Sequence, residues 1–487
     1  MSFNCIAIDI GASNGRVMNG NISRGVITFS EITRFPNTPI NVNNDMYWDL
    51  LFIYKEIINS FESYCFEKKS SAFSIGIDTF GMDFVLLNKE GRLLSNPLSQ
   101  RGEHSKKGKQ LYESKGKKSL FELTGIADRH FNTSFQLFYM TQNKDSLLKA
   151  ADTILFIPDV LAYFLTGNAL CDKSIASPGQ MVLIDKTEWN PDVLDLLEVE
   201  TNIFPEMLEP ASNRGRLLEN VIRMCNLPKD TELCFAAHDT AIALEAIPSD
   251  DRGFAFISSG TWSLMGITSL MPVINELTYK GHFSNVCTLN NDYMILKNIM
   301  GMWVLQHCKN DWERELKTIL TWDEVIDAAN NIENESYVDI NDDLFFPAGN
   351  MIDRIKIFCK DTNQKPPESY GEVIRIVIES LAMSYKETFM ELQKISEQRI
   401  DKLYIVGGGS RNKLLNQITS NLIGAEVISG PAEATVIGNI LKQAMNHGYI
   451  LKKNKTAIIE KSFSIEHFSP KDTTFWRNKW QSYSENR

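Results

Sequence analysis

The sequence has no Cys-x-x-Cys pair, no two histidines spaced i, i+4, and no apolar run long enough to cross a bilayer. Each absence closes a class of function. The eight cysteines, Cys5, Cys65, Cys171, Cys225, Cys234, Cys287, Cys308 and Cys359, are scattered, so they read as small apolar side chains rather than a disulfide framework or thiolate metal site. The seven histidines are equally dispersed and give no support to zinc. Fifty basic against 61 acidic side chains leave a formal charge of -11, which repels nucleic acid and anionic lipid unless a local basic stripe intervenes. The short clusters "SKKGKQ" (Ser105 to Gln110) and "LKKNK" (Leu451 to Lys455) read as solvated surface. The opening "MSFNCIAIDIG" lacks the basic and long apolar regions of a secretory signal, and a cytoplasmic protein without nucleic-acid or membrane partners is expected.

What is present is length. A chain of 487 residues exceeds the roughly 250–300 at which single cores stop growing, so two domains are expected. The polar break "IPSDDRGF" places them at 1–246 and 247–487. Alternation in "CIAIDI" and "GVITFSEI" predicts two strands joined across "GASNGRVMNGNISR". Leu51, Tyr54, Ile58, Phe61 and Cys65 form a helical stripe, and "FSIGIDTFGMDFVLL" returns to strand character. The second half begins the same way, with "FAFISSGTWSLMGITSL" running strand, small-residue turn, strand. A long helix follows in "GEVIRIVIESLAMSYKETFMELQKI", and then strand, triple glycine, helix and strand in "KLYIVGGGSRNKLLNQITSNLIGAEVIS". This order fits an α/β fold with two related domains. Near the end, Phe475, Trp476, Trp480 and Tyr483 form a helical docking stripe.

Gly11 and Ser13 let main-chain N–H groups and a hydroxyl converge on an anion. Asp9 cannot hold phosphate itself; it either binds Mg²⁺ or a water beside the phosphates, or closes its own turn. Gly260 and Thr261 in "SSGTW" offer a second phosphate turn. In "AAHDTAIA", Asp239 reads either as a general base at a helix start or as a plain N-cap. "VGGGSRN" fails the dinucleotide fingerprint, because Asn412 stands where the third glycine belongs, and reads as a flat platform for adenine or ribose or as a helix-entry turn. The pair Asp78 and Asp83 admits glycoside hydrolysis, an enzyme class with no need of two phosphate turns.

Taken together, "DIGASNGR", "GIDTFGMDFVLL", "HDTA", "SSGTWSLMG", "LKNIMGMWVLQ" and "IVGGGSRNKLLNQ" resemble the FGGY carbohydrate kinases, in the same order over essentially the whole chain. The resemblance implies two ribonuclease-H-like (actin-like ATPase) domains with a cleft between them, sugar deep in it, ATP held mainly by the second domain, and a hinge that closes. It implies a first phosphate loop at Ser13, Asn14, Gly15 and Arg16 with Asp9 beside the metal. Sugar contacts are implied at Gly81, His238, Asp239, Thr240 and Asn298, with Asp239 the proton acceptor. Nucleotide contacts are implied at Thr261, Gln306 and Gly408. "FNTSFQL" (Phe131 to Leu137) and "IPDVLAYFLTG" (Ile157 to Gly167) also resemble first-domain segments of the family. The expected reaction is transfer of the γ-phosphoryl of Mg²⁺-ATP to the 1-hydroxyl of a deoxyketose, L-rhamnulose first, by a monomer or homodimer. L-fuculose, another ketose, or a non-catalytic nucleotide-binding role are the alternatives. Two departures bear on the sugar: Arg101-Gly102 stands where the family has Arg-Asp, and Asn285-Val286-Cys287-Thr288 where it has Asn-Glu-Gly-Gly.

Overall fold

The computed structural model describes residues 2–68, 74–249, 253–396 and 399–485. Asp250 and Asp251 of the polar break lie outside them. The chain divides into two compact units that interleave in sequence. Unit 1 comprises 1–250, 269–295 and 434–463, and unit 2 comprises 251–268, 296–433 and 464–487. The first segment of unit 1 therefore ends close to the 246/247 boundary read from the sequence, and two later segments return to it.

Unit 1 is built on a sheet in the order Gly215–Arg216, Glu232–His238, Ser74–Thr79, Ser2–Ile10, Asn14–Ser23, Val26–Pro36. Its middle three strands run parallel and the last two return antiparallel. Apolar side chains on both faces bury Ile6, Ile8, Ile10, Ile75, Ile77 and Leu233 completely, as parallel strands covered on two sides require. The segment predicted as a connection, residues 14–23, is itself a strand. Its two glycines and three asparagines hide the strand pattern. Gly20 is there for fit: a Cβ at this position would meet Cγ1 of Ile440 at 2.5 Å.

The Leu50–Lys68 helix covers this sheet with Leu50, Ile53, Ile57, Phe61 and Tyr64. Of the stripe read from sequence, Ile58, Phe61 and Cys65 are buried and Tyr54 packs against the core, while Leu51 is 57 % exposed. The Ala434–Asn446 helix buries Val436, Ile437, Ile440, Leu441 and Ala444 at 3.6-residue spacing within unit 1. Its Asn439 and Gln443 carry hydrogen bonds into the sheet, Asn439 to Asp78 at 2.7 Å and Gln443 from the Ser74 hydroxyl at 2.6 Å. A second apolar cluster within unit 1 gathers Phe84, Leu120, Phe135, Leu137, Phe138, Phe156 and Met181. The basic cluster "LKKNK" is only partly solvated: Lys455 is buried and its ammonium lies 3.6 Å from the buried Glu245 carboxylate. Burial of an ammonium demands such a partner. Asn285 pins loops, donating to the carbonyls of Gly125 at 2.9 Å and Val273 at 3.1 Å, and Val286 and Cys287 are core.

Unit 2 repeats the winding. Its strands follow the order Glu466–Phe468, Glu426–Ser429, Lys402–Val406, Phe254–Ser259, Trp262–Ser269. Again three are parallel, and Phe254–Ser259 makes an antiparallel hairpin with Trp262–Ser269. The Tyr370–Ile395 helix covers this sheet, bounded by a Ser369/Glu372 capping box. The Thr473–Glu485 helix docks with Trp476 and Tyr483 buried, and Lys479 reaches the fully buried Glu379 at 2.6 Å. Phe475, assigned to that docking stripe, is instead 57 % exposed. All eight cysteines are buried thiols. Among the described residues no helix is long and apolar enough to cross a membrane.

Candidate active site

Three aspartates come together in unit 1 because three adjacent parallel strands end side by side. Asp9 is register partner to Asp78, and Asp78 to Ala237, which puts Asp239 just past the end of its own strand. Carboxyl ends of parallel strands are where open α/β sheets place ligands. Asp9 is 5 % exposed and its Oδ2 accepts from Arg16 Nε at 2.8 Å, Arg16 Nη2 at 2.7 Å and the Thr435 hydroxyl at 2.5 Å. A charge so placed is compensated by the guanidinium fork. Arg16 is therefore held near the start of the second strand with its partner fixed, while Ser13 in the turn and Asn14 at the strand's first position are exposed. Gly11 N–H closes that turn on the Asn14 carbonyl at 2.9 Å.

Asp239 opens the Asp239–Leu244 helix, and His238 occupies the N-cap without a side-chain capping bond. The plain N-cap reading of Asp239 is thus corrected by one residue. Burial first, then the charge of Asp9, push its pKa up to about 7, against which hydrogen bonds from Thr240 act only in part. The Thr240 hydroxyl donates to Asp239 Oδ1 at 3.1 Å. His238 Nε2 lies 3.5 Å from the same oxygen, and burial lowers the histidine to about 4, so the ring is neutral. Its Nδ1 is buried without a hydrogen-bond partner. Gly81 faces this ring: a Cβ there would sit 3.3 Å from His238 Nε2. Gly81, His238, Asp239 and Thr240 thus form one polar surface next to Asp9 and Arg16.

Asp78, read from sequence only as one of a hydrolytic pair, belongs to this cluster. It is fully buried, its acidity is suppressed chiefly by burial and by Asp9, and its Oδ1 has no hydrogen-bond partner. Asp83 turns away to accept from Trp48 Nε1 at 2.6 Å and Gln100 N–H at 2.8 Å, which removes the paired-carboxylate geometry of a glycosidase. Mg²⁺ commonly keeps its waters and takes one or two carboxylates together with substrate phosphates. Among the described residues no group of three or more acidic, histidine or cysteine side chains could hold a metal ion, so an ion here would depend on substrate phosphates and water for most of its ligands.

In unit 2 the turn Gly260-Thr261 is exposed at the tip of the hairpin. The Met302–Leu316 helix starts against it, Met302 N–H donating to the Gly260 carbonyl at 3.2 Å and Trp303 N–H to that of Thr261 at 3.1 Å. Gln306 lies one turn further along this helix and donates to Asn310 at 2.9 Å. Gly407 adopts φ +86°, and a Cβ on it would meet the Ser259 carbonyl at 2.7 Å, so the triple glycine packs beside the turn of the same hairpin. Gly408 is exposed, with open space where a Cβ would stand. These contacts join the Gly260-Thr261 turn to the start of the helix that carries Gln306 and to the triple glycine that includes Gly408. Asn298, half-buried, sits on the Tyr293–Met300 strand leading into the helix.

Sequence reasoning missed Thr435, whose segment "PAEATVIGN" bears no chemical signature, and it missed the Arg16–Asp9 pair, which spacing alone does not reveal.

Residues 4–245 match the N-terminal domain of the FGGY family of carbohydrate kinases and residues 255–447 its C-terminal domain. A rhamnulokinase of Bacteroides thetaiotaomicron is 37% identical over 479 residues, covering 98% of this chain and 98% of that protein. A rhamnulokinase of Bacillus subtilis is 34% identical over 472 residues, covering 96% of this chain and 95% of that protein. Among solved structures, gluconate kinase from Lactobacillus acidophilus superposes with a TM-score of 0.82 at 14% identity, over 100% of this chain and 97% of that one. Plasmodium falciparum glycerol kinase with ADP gives 0.78 at 15% identity, over 99% and 97%. With both domain models matched in order over twin α/β sheets, the chain belongs to the FGGY family of carbohydrate kinases.

Proposed function

We propose that the protein transfers the γ-phosphoryl group of ATP to the 1-hydroxyl of L-rhamnulose. The observation that carries the chemistry is Asp239: a carboxylate at the end of a central parallel strand, poised near 7, beside the neutral His238 and the Asp9–Arg16 pair. A base of that pKa accepts a proton near neutrality without holding it. The sugar oxygen forms a bond to phosphorus, the bond from phosphorus to the β-phosphate oxygen breaks, and the hydroxyl proton passes to Asp239. ADP leaves. The transition state is loose, so positioning and charge compensation do most of the work.

Gly81, His238, Thr240 and Asn298 hold the sugar in this reading, and Ser13, Asn14, Gly15 and Arg16 meet phosphate oxygens. Gly260 and Thr261 offer a turn to the nucleotide phosphates, with Gln306 and Gly408 contacting the rest of it. Mg²⁺, carried with the nucleotide near Asp9, would neutralise phosphate charge. The protein acts in the cytoplasm. The full-length likeness to rhamnulokinases supports this sugar over its relatives. The test is sugar-dependent ADP release across L-rhamnulose, L-fuculose, D-xylulose and glycerol at matched ATP. The expected result is the highest kcat/KM on L-rhamnulose; a higher value on another ketose reassigns the substrate, and no sugar-dependent ADP from any of them overturns the kinase reading.

A further inference from the structure

The Glu232–His238 strand, which ends one residue before the proposed base, pairs along its length with Ser74–Thr79 on one side. On the other side Gly215–Arg216 pairs with Leu233 and Glu232 and goes no further. Yet Ala236 and Ala237 are fully buried and His238 is nearly so, and buried backbone groups need partners. Side chains supply them. The Ala236 carbonyl accepts from Arg214 Nη2 at 3.2 Å, and the His238 N–H donates to the Ser174 hydroxyl oxygen at 3.2 Å. These are the carbonyl and the N–H that a single residue of a parallel neighbouring strand would engage together. Arg214 and Ser174 thus stand in for a missing strand at the step before Asp239.

The two stand-ins are tied to each other. Arg214 Nη2 also donates to Asp159 Oδ1 at 2.5 Å, and the same oxygen accepts from the Asp172 N–H at 3.2 Å. Asp172 Oδ1 accepts from the N–H and from the hydroxyl of Ser174, at 2.8 and 2.5 Å, while its Oδ2 accepts from the Ala211 N–H at 2.7 Å. The Ser174 proton is therefore committed to Asp172, which turns the oxygen lone pair to His238. Asp159, Asp172 and Ser174 are fully buried, so water does not compete for these bonds. His238 is the last extended residue, with φ −80° and ψ 130°, and the N-cap of the Asp239–Leu244 helix. The turn that aims the Asp239 side chain starts from the atom that Ser174 holds.

We propose that Ser174 is a positioning residue for the base: its hydroxyl, oriented by Asp172, fixes the strand end from which Asp239 projects. The inference deepens the kinase reading above and rests on it. A reacting group displaced by about 1 Å loses on the order of 10²-fold in rate even when the change lies away from the chemistry.

The test compares Ser174→Ala with Ser134→Ala in the full-length protein. Ser134 is equally buried and its hydroxyl donates to Gln180 at 2.7 Å, so its removal also breaks a buried hydrogen bond without touching the strand. Positioning predicts that Ser174→Ala lowers kcat per folded molecule roughly 10–100-fold with the KM for ATP unchanged, while Ser134→Ala keeps kcat near wild type. A merely structural role predicts similar losses of Tm in both and no difference in kcat per folded molecule. Ser174→Cys, close in size but a weak acceptor, should lower kcat in the same way and serves if the alanine variant fails to fold. Wild-type kcat in folded Ser174→Ala or Ser174→Cys, or an equal loss of kcat in Ser134→Ala, overturns the inference while leaving the kinase reading intact. Wild-type turnover by Asp239→Asn would instead remove the reading on which it rests.

Discussion

As the proposed base, Asp239 would accept a proton only when it has none of its own, and with its pKa lifted from 3.8 to about 7 that condition would set the acid limb of activity. We expect kcat/KM to rise through about pH 7, and Asp239→Asn to lower kcat by roughly 10²–10⁴ with ATP binding near normal, as isothermal titration would show. Wild-type turnover by that variant would exclude the residue as the base. The same shift has a stability consequence of definite sign. The folded state holds this proton more tightly than the unfolded chain, so stability is fullest below 3.8 and declines as pH rises to about 7. Asp239→Asn should accordingly raise Tm relative to wild type at pH 8 and by much less at pH 4; equal shifts at both would contradict it. The sequence exposed this residue because a carboxylate ending an apolar run before small residues is conspicuous. It did not expose what tunes the group, since Asp9 arrives through strand register and Thr435 from 426 residues away.

Strands and helices were legible where apolar residues recur in a regular run, and illegible where close packing overrides propensity. The Tyr370–Ile395 helix follows from its periodicity and capping box. The Asn14–Ser23 strand does not, because a glycine chosen for contact with Ile440 reads like a turn. Gly438 makes the same point more sharply: a Cβ would come to 2.0 Å from the Ile242 carbonyl, where the Ala434–Asn446 and Asp239–Leu244 helices touch. Gly438→Ala should cost about 1–3 kcal/mol or more in urea unfolding, and because the second helix begins at Asp239 it should also reduce kcat. A neutral variant would show that these helices tolerate separation. Arg214 joins strand to helix by a fully buried bond to Asp159 at 2.5 Å, and Asp159 already sits near 7 for reasons of burial. Arg214→Met leaves that acid alone. We expect a loss of about 3–5 kcal/mol at pH 8, where the carboxylate would be charged, and a smaller one at pH 5, where it takes up a proton.

Across the whole molecule, unit membership follows packing rather than chain order, which is the part of the architecture that a linear reading conveys least. Residues 1–250 lack the Ala434–Asn446 helix, and with it Thr435 on Asp9, Asn439 on Asp78 and Ile440 against Gly20. The isolated segment should bind a hydrophobic dye and aggregate, while fusing both 269–295 and 434–463 to it through flexible linkers should restore cooperative melting; a well-folded 1–250 fragment would refute this. The late arrival of Thr435 also bears on synthesis. At about 5–20 residues per second, a ribosome spends on the order of 20–90 s between making Asp9 and making the hydroxyl that bonds to it. A nascent chain therefore emerges with its first strand lacking the Ala434–Asn446 helix for most of translation, and Asp9 without the hydroxyl that bonds to it.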